Sequence, residues 1–232
     1  MFYYYGIDWT YLVFVLPAMI FALIAQSMVQ STFNKYSKAS TRSAMTGYQA
    51  ARMVLEQNGI HAVNIERVSG NLTDHFDPRA KVIRLSDATY ASSSAAAVGV
   101  AAHEAGHAAQ YAAEYAPIKL RTAIIPITNI GSKLTIPLIL LGAIFAFQPL
   151  VTLGILFFAL STVFQLVTLP VEFNASKRAM EALRSSGRMD EGELVASRKV
   201  LTAAAMTYVA ALAVSLMQLL RLILLFGRRS RD

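Results

Sequence analysis

The chain has 232 residues, 55% of them hydrophobic and only 15% charged, with a formal net charge of +7 and no cysteine. A charged share so far below the roughly 25% usual in soluble domains points to a membrane protein, and the missing cysteines exclude disulfide scaffolds and thiolate metal ligands. The basic residues lie beside long apolar runs, so orientation in a bilayer explains them better than nucleic-acid binding does.

From Trp9 to Asn34 no residue is charged. This run meets the ~20 apolar residues that a spanning helix needs, and residues 1–30 are read as a first transmembrane anchor. The segment lacks the basic start and small-residue cleavage site of a secretory signal, so the anchor is expected to be retained.

Residues 31–121 have ordinary polarity and read as a small α+β segment. Thr46-Gly47-Tyr48-Gln49 is a capping-box pattern opening a helix that Gly59 would close. HAVNIERV is a short alternating strand, Asp77-Pro78-Arg79 suits a turn, and Lys81 to Leu85 suits a second strand. Ser92 to Ser94 offer N-caps for the following helix, SAAAVGVAAHEAGHAAQYAAE.

Leu134 to Val171 is again uncharged. At ~1.5 Å per residue it is long enough for about two crossings, so residues 122–171 are assigned to a transmembrane hairpin with its tip at Gln148-Pro149. Residues 172–199 read as a helix opening at Glu172. Residues 200–232 form a last transmembrane helix and a basic tail. Arg221 interrupts that final run and either snorkels to the interface or faces the protein interior. Eleven Lys and Arg residues separate the first anchor from the hairpin and six separate the hairpin from the last span, so both loops should be cytoplasmic. Four crossings then place the tail GRRSRD outside, against the same rule, unless the final helix is partly re-entrant.

The stretch AAHEAGHAAQ carries the chemistry. At i and i+4 on a helix, His103 and His107 project from one face and can bind a single tetrahedral zinc. Glu104, turned about 100° from His103, is poorly placed as a ligand but well placed to reach a water on the metal as general base. The plainer alternative is a helix with solvated histidines, but Gly99 and Gly106 suit close packing, and buried polar groups need partners.

A catalytic site needs a third protein ligand, for which His61, His75 and the acids of the water-exposed segments are candidates. Glu172 stands out. The motif helix leads into the hairpin, which returns the chain to the side it left, so Glu172 and His107 share a membrane face. The competing explanation is an acid favoured at a helix N-terminus, and His75 in TDHFDP is the rival ligand.

HEAGH, an apolar hairpin and then EFNAS resemble the order in the CAAX prenyl endoprotease and heat-shock-linked membrane protease group, which place a Glu ligand after paired histidines. There the pattern is E-F-x-A-D, whereas this chain has Ser176 in the final position. The whole chain is similar to the YugP-type neutral zinc metallopeptidases of bacterial membranes, through GNLTDHFDPRAKVIRLS, AAHEAGHAAQ, APIKLR, QLVTLPVEFNASKRA and LTAAAMTYVAAL in that order. The resemblance implies zinc peptidase activity at the membrane.

A mainly α membrane protein is therefore expected, with about four transmembrane helices and a small α+β zinc-protease subdomain carrying the HExxH helix. One Zn2+ would be held by His103, His107 and Glu172, with Glu104 catalytic. The expected partners are the lipid bilayer and a peptide or membrane-protein substrate, with no nucleic acid. The expected location is the bacterial inner membrane, with the active site facing the cytoplasm and near the bilayer surface. The strand KVIRLS, as a sheet edge, could pair with an extended substrate. Without a charged residue at Ser176, the histidines need other orienting groups, with Asn174, Asn129 and Asp74 as candidates. His75, Arg221, Tyr208 and the tyrosines of QYAAEY are candidate oxyanion stabilisers. The alternatives are an idle zinc-containing scaffold or an intramembrane-cleaving zinc protease.

Overall fold

A computed structural model describes residues 3, 4 and 7–226. It is mainly helical. After a two-stranded ribbon of β1 (Tyr3–Tyr4) and β2 (Ile7–Asp8), a π-helical turn at Tyr11–Val15 leads into α1 (Leu16–Tyr36). Next come α2 (Gly47–Gln57), β3 (Asn64–Val68), β4 (His75–Asp77), β5 (Val82–Ser86), α3 (Asp87–Tyr90) and α4 (Ala95–Ala112). Three long helices follow: α5 (Ala116–Ile144), α6 (Gln148–Ser185) and α7 (Glu191–Phe226). Among the described residues, four helices are long and apolar enough to cross a membrane: Tyr11–Tyr36, α5, α6 and α7. Leu23, Ile144 and Phe145 are each about 70% exposed, as lipid-facing side chains would be.

The contacts divide the chain into two units. The first comprises the described residues up to Ala25, Leu120–Leu169, and those from Thr207 onward. Here α5 and α6 form a helical hairpin in which glycine allows close approach: a Cβ at Gly142 would lie 2.6 Å from Val151, and one at Gly154 2.6 Å from Ile139. The hairpin turns at Phe145–Phe147, just before Gln148-Pro149, because Pro149 fits the first turn of α6, where no N–H is needed. Thr162 and Ser215 hydroxyls, 2.7 Å apart, tie α6 to α7. Gln148 Nε2 donates to the Phe226 carbonyl at 3.2 Å, and Arg221 donates through two nitrogens to the Asp8 carboxylate. The hairpin tip, the start of α1 and the end of α7 thus share one end of this unit. Arg221 is neither lipid-facing nor unpaired. The tail GRRSRD lies outside the described residues.

The second unit comprises Gln26–Lys119 and Pro170–Met206. The capping box at the start of α2 is formed: Thr46 accepts from the Gln49 N–H, and Gln49 accepts from the Thr46 N–H. Gly59 follows with a φ of +67°, which a side chain would disfavour. The Asp77 carboxylate accepts from the N–H groups of Arg79 and Ala80, closing the predicted turn between β4 and β5. The sheet has the order β3-β5-β4, with β5 parallel to β3 and antiparallel to β4. Ser94 caps α4 by accepting from the Ala97 N–H at 3.2 Å. Val54 and Leu55 of α2, Ile83 and Leu85 of β5, Val98, Ala101 and Ala105 of α4, and Leu183 of α6 form one fully buried core.

One expected boundary is absent. Pro170 lies inside α6, which continues unbroken through Glu172 to Ser185. An internal proline costs a hydrogen bond, yet the helix persists because Val171, Ala175, Ala179 and Leu183, on the following turns, are all buried without exposure. Glu172 is consequently not at a helix N-terminus, and the macrodipole does not account for it.

Candidate metal centre

The composition of α4 decides how the site is built. Fourteen of its 18 residues are buried, and most are alanine or glycine, so neighbouring helices can come close. A Cβ at Gly106 would stand 2.6 Å from the Ala175 carbonyl oxygen, and one at Gly99 3.1 Å from the Ser197 Cβ. Ser197 Oγ also donates to the Ala95 carbonyl at 2.7 Å. Glycine at 106 therefore lets the turn of α6 around Ala175 lie directly against the motif helix.

On α4, His103 and His107 project from one face, their ring centroids 4.7 Å apart and their planes at 82°. The α6 turn brings Glu172 to them. Its Oε2 is 3.3 Å from His103 Nε2 and 3.5 Å from His107 Nε2, and the side chain is 4% exposed. One ligand atom from each of the three residues lies within 4.8 Å of the others. Among the described residues this is the one gathering of three or more His, Asp or Glu of that kind.

The donor set fits a zinc ion. Tetrahedral ligands at zinc bond lengths of ~2.0–2.2 Å stand about 3.3–3.5 Å apart, the separation of Glu172 from both imidazoles. Oε2 of Glu172 is buried, and among the described residues it faces only the two imidazoles without a hydrogen bond of regular geometry, a condition that a cation between them would relieve. Each imidazole meanwhile uses its other nitrogen: His103 Nδ1 is 3.1 Å from Ser176 Oγ, and His107 Nδ1 is 3.0 Å from Gln110 Oε1. That leaves both Nε2 atoms facing the carboxylate.

Glu104 is 9% exposed, and its carboxylate makes no hydrogen bond or ion pair among the described residues. Its charge is felt at His107. Burial alone would lower the pKa of that imidazole, but contact with Glu172 and the negative charges of Glu104 and Glu172 outweigh it, so the value lies above the ordinary one. A cation at the site would replace a proton that these carboxylates already attract.

The family profile described as "Putative neutral zinc metallopeptidase" matches residues 11–227. The chain belongs to this family. The Bacillus subtilis (strain 168) protein named "Putative membrane protease YugP" is 43% identical over 202 residues, covering 87% of this chain and 90% of its own. No solved structure matches significantly.

In this member of the neutral zinc metallopeptidase family Asn174 joins the site through Gln110, while several other candidates make contacts of their own. His75 is exposed and makes local contacts, with its Nδ1 2.9 Å from the Thr73 carbonyl and its Nε2 3.5 Å from Arg84. His61 is exposed as well. Asp74 accepts from the Ser86 N–H and from the hydroxyls of Ser86 and Thr89, which secures β5 and α3. Arg221 is taken by Asp8. The serine that departs from the charged pattern still contacts His103. Gln110 is not among the expected orienting groups, although it ends AAHEAGHAAQ three residues after His107, a spacing that puts both on one face. KVIRLS is not a sheet edge: β5 is central, paired with β3 from Val82 to Ser86 and with β4 from Val82 to Arg84. The outer strands are β3 and β4, and Phe76 of β4 packs edge-on against Tyr111 of α4 with centroids 5.6 Å apart.

Proposed function

We propose that the chain is a membrane zinc endopeptidase in which His103, His107 and Glu172 hold one zinc ion and Glu104 is the general base. The observation that carries this reading is the convergence of a buried carboxylate on two imidazole nitrogens whose opposite nitrogens are already engaged. When bound, zinc supplies Lewis acidity, which acidifies a water and polarises the scissile carbonyl. The protein's part is the proton. Glu104 follows His103 on α4, and among the described residues its carboxylate has no other hydrogen bond. It accepts the proton of the attacking water and returns it to the leaving amine. Water is limited by the buried setting, since both Glu104 and His107 are only 9% exposed.

A groove of about 450 Å³ supports a peptide substrate. It runs between α6 and α7 of the second unit and is lined by Phe173, Ser176, Met180, Leu201 and Met206, with Lys177 and Arg198 among its polar residues. Ser176 belongs both to this groove and to the contact with His103, so an apolar peptide segment lying there adjoins the proposed centre. Glu172 follows directly on the apolar run of α6, which favours cleavage of membrane proteins or peptides close to the bilayer surface. The density of Lys and Arg in the two loops favours the cytoplasmic face.

The test is metal analysis together with chelator-sensitive proteolysis of the purified full-length chain beside Glu104→Gln. The variant should keep one zinc per chain and lose cleavage by about 10²–10⁴-fold. Wild-type protein that neither binds zinc nor cleaves any peptide library in a chelator-sensitive way overturns the reading.

A further inference from the structure

His107 is held by a chain of hydrogen bonds whose directions are all determined. Arg178 Nε, which can only donate, lies 2.9 Å from Asn174, so the atom facing it is the carbonyl oxygen Oδ1. The Gln110 amide is 3.0 Å from that same oxygen and 2.7 Å from the Val171 carbonyl. Both are acceptors, so this end of Gln110 is its NH2 group and the other end is the carbonyl oxygen. That oxygen faces His107 Nδ1 at 3.0 Å and requires a proton there. A neutral His107 then carries its lone pair on Nε2, the nitrogen turned toward Glu172. Gln110 is wholly buried, so water cannot substitute for any of these partners.

His103 is under no such constraint, because the Ser176 hydroxyl can donate as readily as it accepts. The α6 side of the network brackets Glu172: Val171 precedes it, and Asn174 and Arg178 follow within two turns. One stretch of α6 therefore delivers the carboxylate and the partners that orient the imidazole beside it. We infer that Gln110, Asn174 and Arg178 are positioning residues: a relay from a permanent guanidinium charge locks His107 in its Nδ1–H tautomer, so that Nε2 is presented to the metal before it arrives. This rests on the proposed role of His107 as a zinc ligand.

The experiment uses full-length protein in lipid nanodiscs with isotopically labelled histidine, and only four histidines have to be assigned. With metal removed, and at a pH high enough to leave the ring neutral, imidazole nitrogen and carbon shifts report its tautomer. Wild type should show His107 as Nδ1–H, and Gln110→Met and Asn174→Leu should shift it toward Nε2–H. Chelator competition should show zinc affinity reduced about 10–100-fold in both variants. Asn174→Asp, whose carboxylate accepts from both Gln110 and Arg178, should keep the wild-type tautomer and affinity. Arg178→Gln, made at a partly exposed position, should weaken zinc binding less than Gln110→Met does, and it tests the relay if the buried variants fail to fold. An unchanged tautomer and unchanged affinity in the relay variants overturns the inference. Failure of the wild type to bind zinc while the tautomer responds as described instead overturns the proposed metal site and leaves the relay standing.

Discussion

Oε2 of Glu172 approaches Nε2 of His103 to 3.3 Å across the contact between α6 and α4, and among the described residues its contacts are with the two imidazoles alone. A carboxylate buried in that state is a liability unless a cation completes it. Glu172→Ala is therefore expected to lower zinc affinity by more than the ~10–100-fold that loss of a supporting partner costs. Chelator competition on the purified variant measures it, and undiminished zinc binding would move the third ligand to another residue.

Ser176 gives a sharper comparison. Its hydroxyl lies 3.1 Å from His103 Nδ1, where a carboxylate could only accept, and with a full charge. Ser176→Asp should tighten zinc binding and Ser176→Ala should weaken it, by severalfold in each direction. Equal affinities in the three proteins would mean that His103 is oriented by packing alone.

The approach of the two helices is itself testable. Because a Cβ at Gly106 would sit 2.6 Å from a backbone oxygen of α6, Gly106→Ala has to push the helices apart. A cost of about 1–3 kcal/mol is expected from overpacking, with a loss of zinc affinity in parallel because Glu172 retreats. Gly99→Ala, which meets the Ser197 side chain at 3.1 Å, should be milder on both counts. Thermal unfolding and metal titration of the two variants side by side decide it.

The pH response should differ in sign between the two forms of the protein. Although burial opposes its charge, Glu172 and Glu104 hold the pKa of His107 above the ordinary imidazole value of ~6.5. In the metal-free chain the protonated imidazole contributes stability that is complete below about pH 6.5 and is lost as pH rises through the raised pKa. Zinc requires the neutral ring, so zinc affinity should fall on acidification, beginning above pH 6.5. His107→Gln should flatten the metal-free trend. Melting temperatures with and without zinc across pH 5 to 9 measure both trends, and parallel slopes would contradict this account.

Much of this architecture follows from local pattern. The uncharged run of Trp9 to Asn34 and the apolar stretches later in the chain appear as helices long enough to cross a bilayer, because length and hydropathy suffice to specify such a segment. Thr46 and Gln49 close their capping box, and Ser94 caps the motif helix, because those interactions span only three residues. The break expected at Pro170 failed for the opposite reason: a proline's local cost was outweighed by the burial of Val171, Ala175 and Ala179 around the same helix.

Residue order alone determined that His103 and His107 lie one turn apart on one helix with Glu104 beside His103, since helical periodicity is a property of neighbours along the chain. It also narrowed the distant acid to a residue returning on the same side of the hairpin. Only the tertiary structure decided that Glu172 faces the two imidazoles, that Gln110 rather than Asn129 or Asp74 steadies His107, and that β5 is enclosed by strands on both sides. Those outcomes depend on how closely α4 and α6 can approach and on which strands pair, and such distances arise when separate segments compete for the same space.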